Sequence, residues 1–227
     1  MALILSIETA TQVCSVALHD QGKLASCQSL YIAKSHSESL LPMVEHLLKI
    51  SHCTKKDLAA IAISEGPGSY TGLRIGTATA KGLCYALEIP LIAVNTLEAM
   101  AYGVQLFNYR KALLCPMIDA RRMEVYCLMM DPTGLILEDT QPCVIDSYSF
   151  QDWLNHNTII FFGDGSTKCK PILGEHQNAI FWDHIYPSAQ YMGSLAYSRF
   201  QEASFVSLAA FEPLYLKPFQ GNPLLPI

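Results

Sequence analysis

Apolar positions near the start of the chain arrive in short runs. Leu3-Ile4-Leu5-Ser6-Ile7-Glu8 reads as a buried strand. Residues 13–19 and 24–32 read as two more, joined at Asp20-Gln21-Gly22-Lys23, a tight-turn signal. The period then changes. Leu40, Leu41, Val44, Leu47 and Leu48 follow the i, i+1, i+4, i+7, i+8 spacing of one helical face. Ser37 is a candidate cap, and Pro42, a first-turn residue by preference, predicts that the regular helix begins near it. Residues 59–64 read as a fourth strand. The glycine-rich loop Gly66-Pro67-Gly68-Ser69-Tyr70-Thr71-Gly72 leads into a helix that reaches about Leu87. Pro90 precedes a fifth strand, Leu91 to Val94, and a helix follows from Thr96 to about Leu106.

A weaker version of the same order then repeats. Residues 112–118, 124–130 and 135–145 read as strands, with turns at Arg121-Arg122 and Asp131-Pro132-Thr133-Gly134. A short helix is expected over residues 150–155, and a strand from Thr158 to Phe162 that ends at Gly163-Asp164-Gly165. Another apolar segment runs from Ala179 to Tyr186, and Pro187 opens a helix to about Ala203. Two βββαβαβα units predict an α/β protein of two lobes, 1–109 and 110–227, each with a mixed sheet, facing each other across a cleft. The second lobe is the smaller or more degenerate, and its last helix is free to pack back on the first.

Composition narrows this picture. Half of the 227 residues are hydrophobic (51%) and 15% are charged, enough apolar material for a sizeable core. No apolar run approaches the roughly 20 residues of a membrane span, and the opening residues enter strand pattern without a basic region. A cytoplasmic protein without membrane contact is expected. The formal net charge is −5, and adjacent basic pairs occur only at Lys55-Lys56, Arg110-Lys111 and Arg121-Arg122. A chain that grips a phosphate backbone unaided usually shows a basic face, so RNA contact is expected only indirectly, through another chain. The eight cysteines include no Cys-x-x-Cys pair, and several lie in apolar stretches, which favours reduced core thiols over zinc or disulfides.

The glycine-rich loop has two readings. A turn entering a helix offers free N–H groups and a dipole to an anion, with Gly68, Ser69 and Thr71 as contributors. Alternatively it is a tight turn that lets strand and helix pack. It is no P-loop, because Gly72 is followed by Leu73-Arg74 where that motif has Lys-Ser/Thr. Gly72, Gly76 and Ala80 share one helical face, and a glycine inside a helix costs about 1 kcal/mol relative to alanine. Gly76 therefore predicts close approach of another backbone, in this lobe's sheet or in a second subunit, with core packing as the alternative that periodicity does not separate. Glu8 and Asp119 open the two lobes at equivalent strand ends. Such carboxylates hold Mg²⁺ or a water beside phosphates in some proteins, and cap turns in many more. His36-Ser37-Glu38 and His52-Cys53 are no nucleophile–base sets, since adjacent side chains diverge. Arg121 and Arg122 either meet a partner or substrate or are ordinary turn residues. Along the late helix, core packing is the expectation for Tyr191 and Leu195.

Several segments together resemble the bacterial TsaB (YeaZ) family. They are residues 4–18 (Ile-Leu-Ser-Ile-Glu-Thr-Ala-Thr, then Cys14-Ser-Val-Ala-Leu), His36 to Pro42, Gly66 to Gly76, Asn95 to Ala101, Asp119 to Tyr126 and Pro213 to Lys217. One departure is Glu8, where the family more often has aspartate. The resemblance implies an actin/hexokinase-like fold. It also implies a partner subunit that binds a TsaD-like catalytic chain and works with a TsaE-like ATPase. That assembly places a threonylcarbamoyl group on N6 of adenosine 37 in tRNAs reading ANN codons. By itself such a chain forms homodimers. The helices at 37–50 and 71–87 are the implied partner surface, with His36, Leu40, Leu41, Arg74, Gly76 and Ala80 as its candidate residues. The resemblance requires no cofactor of this chain, but leaves ATP or ADP with Mg²⁺ at a shared interface as an expectation.

The catalytic relative carries a His-x-x-x-His pair on the helix after the fifth strand. Here the matching positions are Thr96 and Met100, and none of the seven histidines forms such a pair. Two imidazoles at i and i+4 hold one ion, which a neutral hydroxyl and a thioether do not replace. No catalytic residue and no metal ligand are therefore expected. The alternatives are an actin-fold ATP-binding enzyme, a glycoprotease-like metallopeptidase, or a homodimer with some other protein partner.

Overall fold

A computed structural model of the chain describes residues 2–32 and 35–217. Its strands form two five-stranded sheets with the same plan. In the first, β1 (Leu3–Glu8), β2 (Cys14–Asp20), β3 (Lys23–Leu30), β4 (Leu58–Gly66) and β5 (Leu91–Asn95) lie in the order β3-β2-β1-β4-β5. The first three run as an antiparallel meander, while β4 and β5 run parallel to β1. In the second, β6 (Leu113–Asp119), β7 (Glu124–Met130), β8 (Ile136–Val144), β9 (Ile159–Phe162) and β10 (Ala179–Trp182) repeat that plan as β10-β9-β6-β7-β8. This two-lobed α/β architecture is the actin/hexokinase-like fold.

The unbroken burial of β1 and β9, and the burial of all of β4 but Ala59 and Glu65, follow from helices on both sheet faces. Successive residues alternate between those faces. Leu5 and Ile7 pack beneath α1 (His36–Ile50) and α2 (Tyr70–Leu87), with Leu40, Val44, Leu47, Ala80 and Cys84. Cys115, Val125 and Phe161 pack beneath α4 (Gln151–Leu154) and α5 (Ser166–Leu173). The inner faces are covered by exchange. Helix α3 (Thr96–Gln105), which follows the first sheet, lays Leu97, Met100, Ala101 and Val104 on the second. Helix α6 (Gly193–Gln201) and the one-turn 3₁₀ helix before it lay Ala189, Met192 and Ala196 on Ile4, Ala17, Ala62 and Ile92 of the first. Neutral His19 fastens this exchange. Its Nε2 donates to the Gln190 carbonyl at 3.3 Å, which leaves Nδ1 to accept from the Ser6 hydroxyl at 3.0 Å. Burial lowers its pKa.

Three elements differ from expectation. Helix α1 begins at His36 and passes through Pro42, and neither Ser37 nor the preceding Ser35 caps it. Pro42 lies on the exposed side, while the opposite face from Leu40 to Leu48 is buried, and that packing outweighs the lost hydrogen bond. Helix α5 carries no apolar stripe and contains Pro171, so patterning left it undetected. The single helix expected after Pro187 is a 3₁₀ turn and α6, broken at Gly193, where an added Cβ would lie 2.3 Å from the His19 ring.

Candidate functional site

Glu8 ends β1 in the interior of the first lobe, 1% exposed. Its Oε1 accepts the Ala10 amide at 2.6 Å and the Ser64 hydroxyl at 2.8 Å. Burial pushes its pKa up from 4.5 to about 7, against those two hydrogen bonds. The glycine-rich loop closes over the residues that follow. A Cβ on Gly68 would stand 2.3 Å from the Ala10 carbonyl oxygen, and one on Gly72 would stand 2.2 Å from that of Thr9. A Cβ on Gly76 would stand 2.2 Å from Thr9 Oγ1. The loop's donors are partly spent as well. The Ser69 amide donates to the Ala10 carbonyl at 2.6 Å, and Ser69 Oγ caps α2 by accepting the Gly72 amide at 3.3 Å. Intralobe packing therefore accounts for Gly68, Gly72 and Gly76. Glu8 is withdrawn from solvent with Oε1 engaged twice, and the loop is filled by Thr9 and Ala10, so these residues do not fit a magnesium–nucleotide site built by this chain alone. Thr71 is exposed at the start of α2.

Asp119 ends β6 at the matching place in the second lobe. There the carboxylate is half exposed and charge-compensated. Its Oδ1 pairs with Lys168 Nζ from α5 and accepts the Arg121 amide at 2.8 Å. Lys168 also donates to the carbonyls of Arg122 and Glu124, at 2.6 and 2.7 Å. The loop before α5 repeats the close approach seen in the first lobe: Gly163, at φ +100°, would place a Cβ 2.2 Å from the Met117 carbonyl.

The first turn of α3 stands between the lobes. Thr96 is fully buried, and its hydroxyl has no hydrogen-bond partner. Met100 lies in the apolar cluster of the second sheet with Ile118 and Phe162. Among the described residues, no group of three or more His, Cys, Asp or Glu side chains is placed to hold a metal ion. Beside this turn a cavity of about 280 Å³ opens between Asn95, Glu98, Asp139, Thr140 and Leu214, and none of the candidate site residues lines it. Glu98, one of its lining residues, is ion-paired at 2.8 Å to Arg199 of α6.

Comparison with known proteins decides the family. The family model described as TsaD, tRNA N6-adenosine threonylcarbamoyltransferase, matches residues 31–225. The tRNA threonylcarbamoyladenosine biosynthesis protein TsaB of Escherichia coli is 33% identical over 220 residues, 94% of each chain. The chain belongs to the TsaB (YeaZ) family. The Bacillus subtilis TsaB is 32% identical over 175 residues, 75% of this chain and 74% of its own length. The solved YeaZ structure from Pseudomonas aeruginosa superposes with a TM-score of 0.78 at 26% identity, over 95% of this chain and all of that one. The chain is thus a subunit of the TsaB type, and among its described residues no helix is long and apolar enough to cross a membrane.

On this TsaB-type first lobe, the expected partner residues separate into two groups. Leu40, Gly76 and Ala80 are buried in the lobe's own core, which corrects their assignment to a partner surface. Their helices present other residues outward. His36 is also buried, its Nε2 donating to the Thr11 carbonyl at 3.0 Å. Leu41 and Arg74 are exposed. Sequence reasoning missed a strap at the chain's end. Phe211 enters the first lobe's core, and the Leu214 amide donates to the Glu65 carbonyl at 2.7 Å. Tyr215 lies on Tyr70 with ring centroids 4.9 Å apart and accepts from Arg74 Nε at 3.3 Å. Lys217 then crosses to the second lobe and pairs with Glu124. Its one sequence signal is the family-like run from Pro213 to Lys217, which carries no sign of the contacts the segment makes. Ser64 and Lys168 gave none, because each acts through a strand or helix distant in sequence.

Proposed function

We propose that this chain is the non-catalytic partner subunit of the assembly that installs the threonylcarbamoyl group on N6 of adenosine 37 in tRNAs reading ANN codons. It binds and activates a TsaD-like catalytic chain, works with a TsaE-like ATPase, and pairs with itself when alone. One observation carries the non-catalytic assignment: Thr96 and Met100, where the catalytic relative has two histidines, are sealed at the lobe junction with an unpartnered hydroxyl and a thioether in apolar packing. Nothing in that environment rewards a divalent ion. Any nucleotide belongs to a surface completed by the partner, since this chain's own glycine loop is filled by Thr9 and Ala10.

The outer faces of α1 and α2 support the partner surface. Leu41, Ile50 and Tyr85 project from them, Tyr85 being 82% exposed. Large exposed apolar groups on one lobe are the usual mark of an interface. Size-exclusion chromatography of the chain mixed with its host's TsaD-like protein tests the reading. Co-elution at micromolar concentration, weakened by Leu41→Asp, is the expected result. Separate elution of two folded proteins contradicts it.

A further inference from the structure

The hairpin between β6 and β7 has an unusual tip. Arg121 and Arg122 both adopt left-handed backbone conformations, at φ 69° and 49°. The turn that closes the hairpin runs from the Arg121 carbonyl to the Glu124 amide at 3.3 Å, and the two consecutive left-handed residues at its start are a conformation that Asn and Gly adopt most readily. Two arginines there are a strained choice, and strain of this kind points to what the side chains do. Both residues are exposed. Neither guanidinium has a hydrogen bond or ion pair within the described residues, whereas Arg74 and Arg199 are both engaged.

The tip is held from below. Lys168 ties together Asp119, the Arg122 carbonyl and the Glu124 carbonyl. Asp164 accepts the Asp119 amide at 3.3 Å. Charge is balanced around this base: Lys168 pairs with Asp119, Lys217 pairs with Glu124, and Asp164 is largely withdrawn from solvent. The two guanidiniums remain as unpaired positive groups above this hydrogen-bonded base, in a chain whose formal net charge is −5. Guanidinium forks match phosphate oxygens in geometry and charge, and neither fork has to leave a partner among the described residues before it binds one.

We infer that the Arg121–Arg122 tip is a phosphate clamp for the RNA backbone, giving this subunit a direct contact with the tRNA held by the assembly. The inference rests on the proposed function for its ligand. It replaces purely indirect RNA contact with one localised contact of two charges.

The test uses the full chain in complex with its host's TsaD-like partner and a labelled substrate tRNA, with affinity measured over a range of salt. Arg121→Ala/Arg122→Ala should weaken binding at least about tenfold at 0.1 M salt and lower the salt-dependence slope by roughly two. A second variant, Arg121→Asn/Arg122→Gly, relieves the turn. It should raise Tm by a few degrees while losing tRNA affinity to the same extent. A role confined to folding would move both readouts together. Unchanged affinity and slope in a complex that assembles normally overturns the clamp. Loss of co-elution with the partner chain also overturns it, by assigning the arginines to an acidic protein surface. If the unaltered complex itself fails to bind tRNA, the proposed function falls with it.

Discussion

The two lobes share one strand order, yet the carboxylate that ends the first strand of each is in opposite circumstances. Glu8 is enclosed, receives two neutral donors and has its pKa pushed up to about 7. Asp119 is half exposed and answered by an ammonium group. The helices differ in the same sense: α1 and α2 span 15 and 18 residues, whereas α4 and α5 span 4 and 8. The contrast follows from the sheet face each carboxylate takes: Glu8 alternates with Ile7 and so lies on the face opposite α1 and α2, beside Ser64, whereas Asp119 shares the face of Cys115 and Met117 that α5 covers, where Lys168 reaches it. A repeated backbone plan therefore does not repeat an ion site. In both lobes, however, a glycine lets the loop before the second helix touch the end of the first strand.

Breaking that shared contact should have the largest effect. Gly72→Ala places a methyl 2.2 Å from a backbone carbonyl that cannot swing aside. A loss of about 3–4 kcal/mol in urea unfolding is expected, against a helix-propensity gain of about 1 kcal/mol. An unchanged midpoint would mean that strand and helix are less closely apposed than described.

The contrast between the carboxylates predicts the next effect. A carboxyl whose folded pKa is raised binds its proton more tightly in the native state. Its contribution is fully present below the unfolded value of 4.5 and is lost as pH rises through about 7. From Glu8 alone, stability should fall by up to roughly 3 kcal/mol across that window. Glu8→Gln should remove this decline, and a parallel decline in wild type and variant would contradict the assignment. His19 runs the other way. Its pKa is lowered by burial, so its contribution is present above 6.5 and is lost as pH falls below that value. The variant should therefore expose an opposite slope at acid pH.

Lys168→Met removes the ammonium that answers Asp119 and two carbonyls. The pair is partly exposed, with side chains 23% and 49% accessible, so screening limits the cost to about 1–2 kcal/mol. Faster amide exchange at the β6–β7 hairpin should accompany it, with β1 and β2 unaffected. The smallest effect is a gain. Gly82 lies on the same helix as Gly72, but a Cβ there meets nothing within 4 Å. Gly82→Ala should stabilise by about 1 kcal/mol. Opposite signs for two glycines on one helix separate steric need from propensity.

Strand identity was legible because residues such as Leu3–Glu8 and Ile159–Phe162 form short apolar runs between turn signals. Helix α5 was not, because it is short, polar and interrupted by Pro171. On the glycine face of α2, Gly72 does meet a backbone carbonyl, that of Thr9, but Gly76 meets the Thr9 and Ile63 side chains, the core-packing alternative that periodicity cannot separate from a backbone approach. Glu8 and Asp119 were visible as a matched pair. Their unequal states depend on Ser64 and Lys168, contributed by β4 and α5, and no local pattern carries such long-range contacts.

The central claim is that this chain assists the transfer without performing it. The direct measurement is threonylcarbamoyl transfer to substrate tRNA by purified components, with this chain and the TsaD-like chain supplied separately and together. Neither chain alone is expected to sustain turnover, and the mixture should. Modification of tRNA by this chain without its partner would contradict the account.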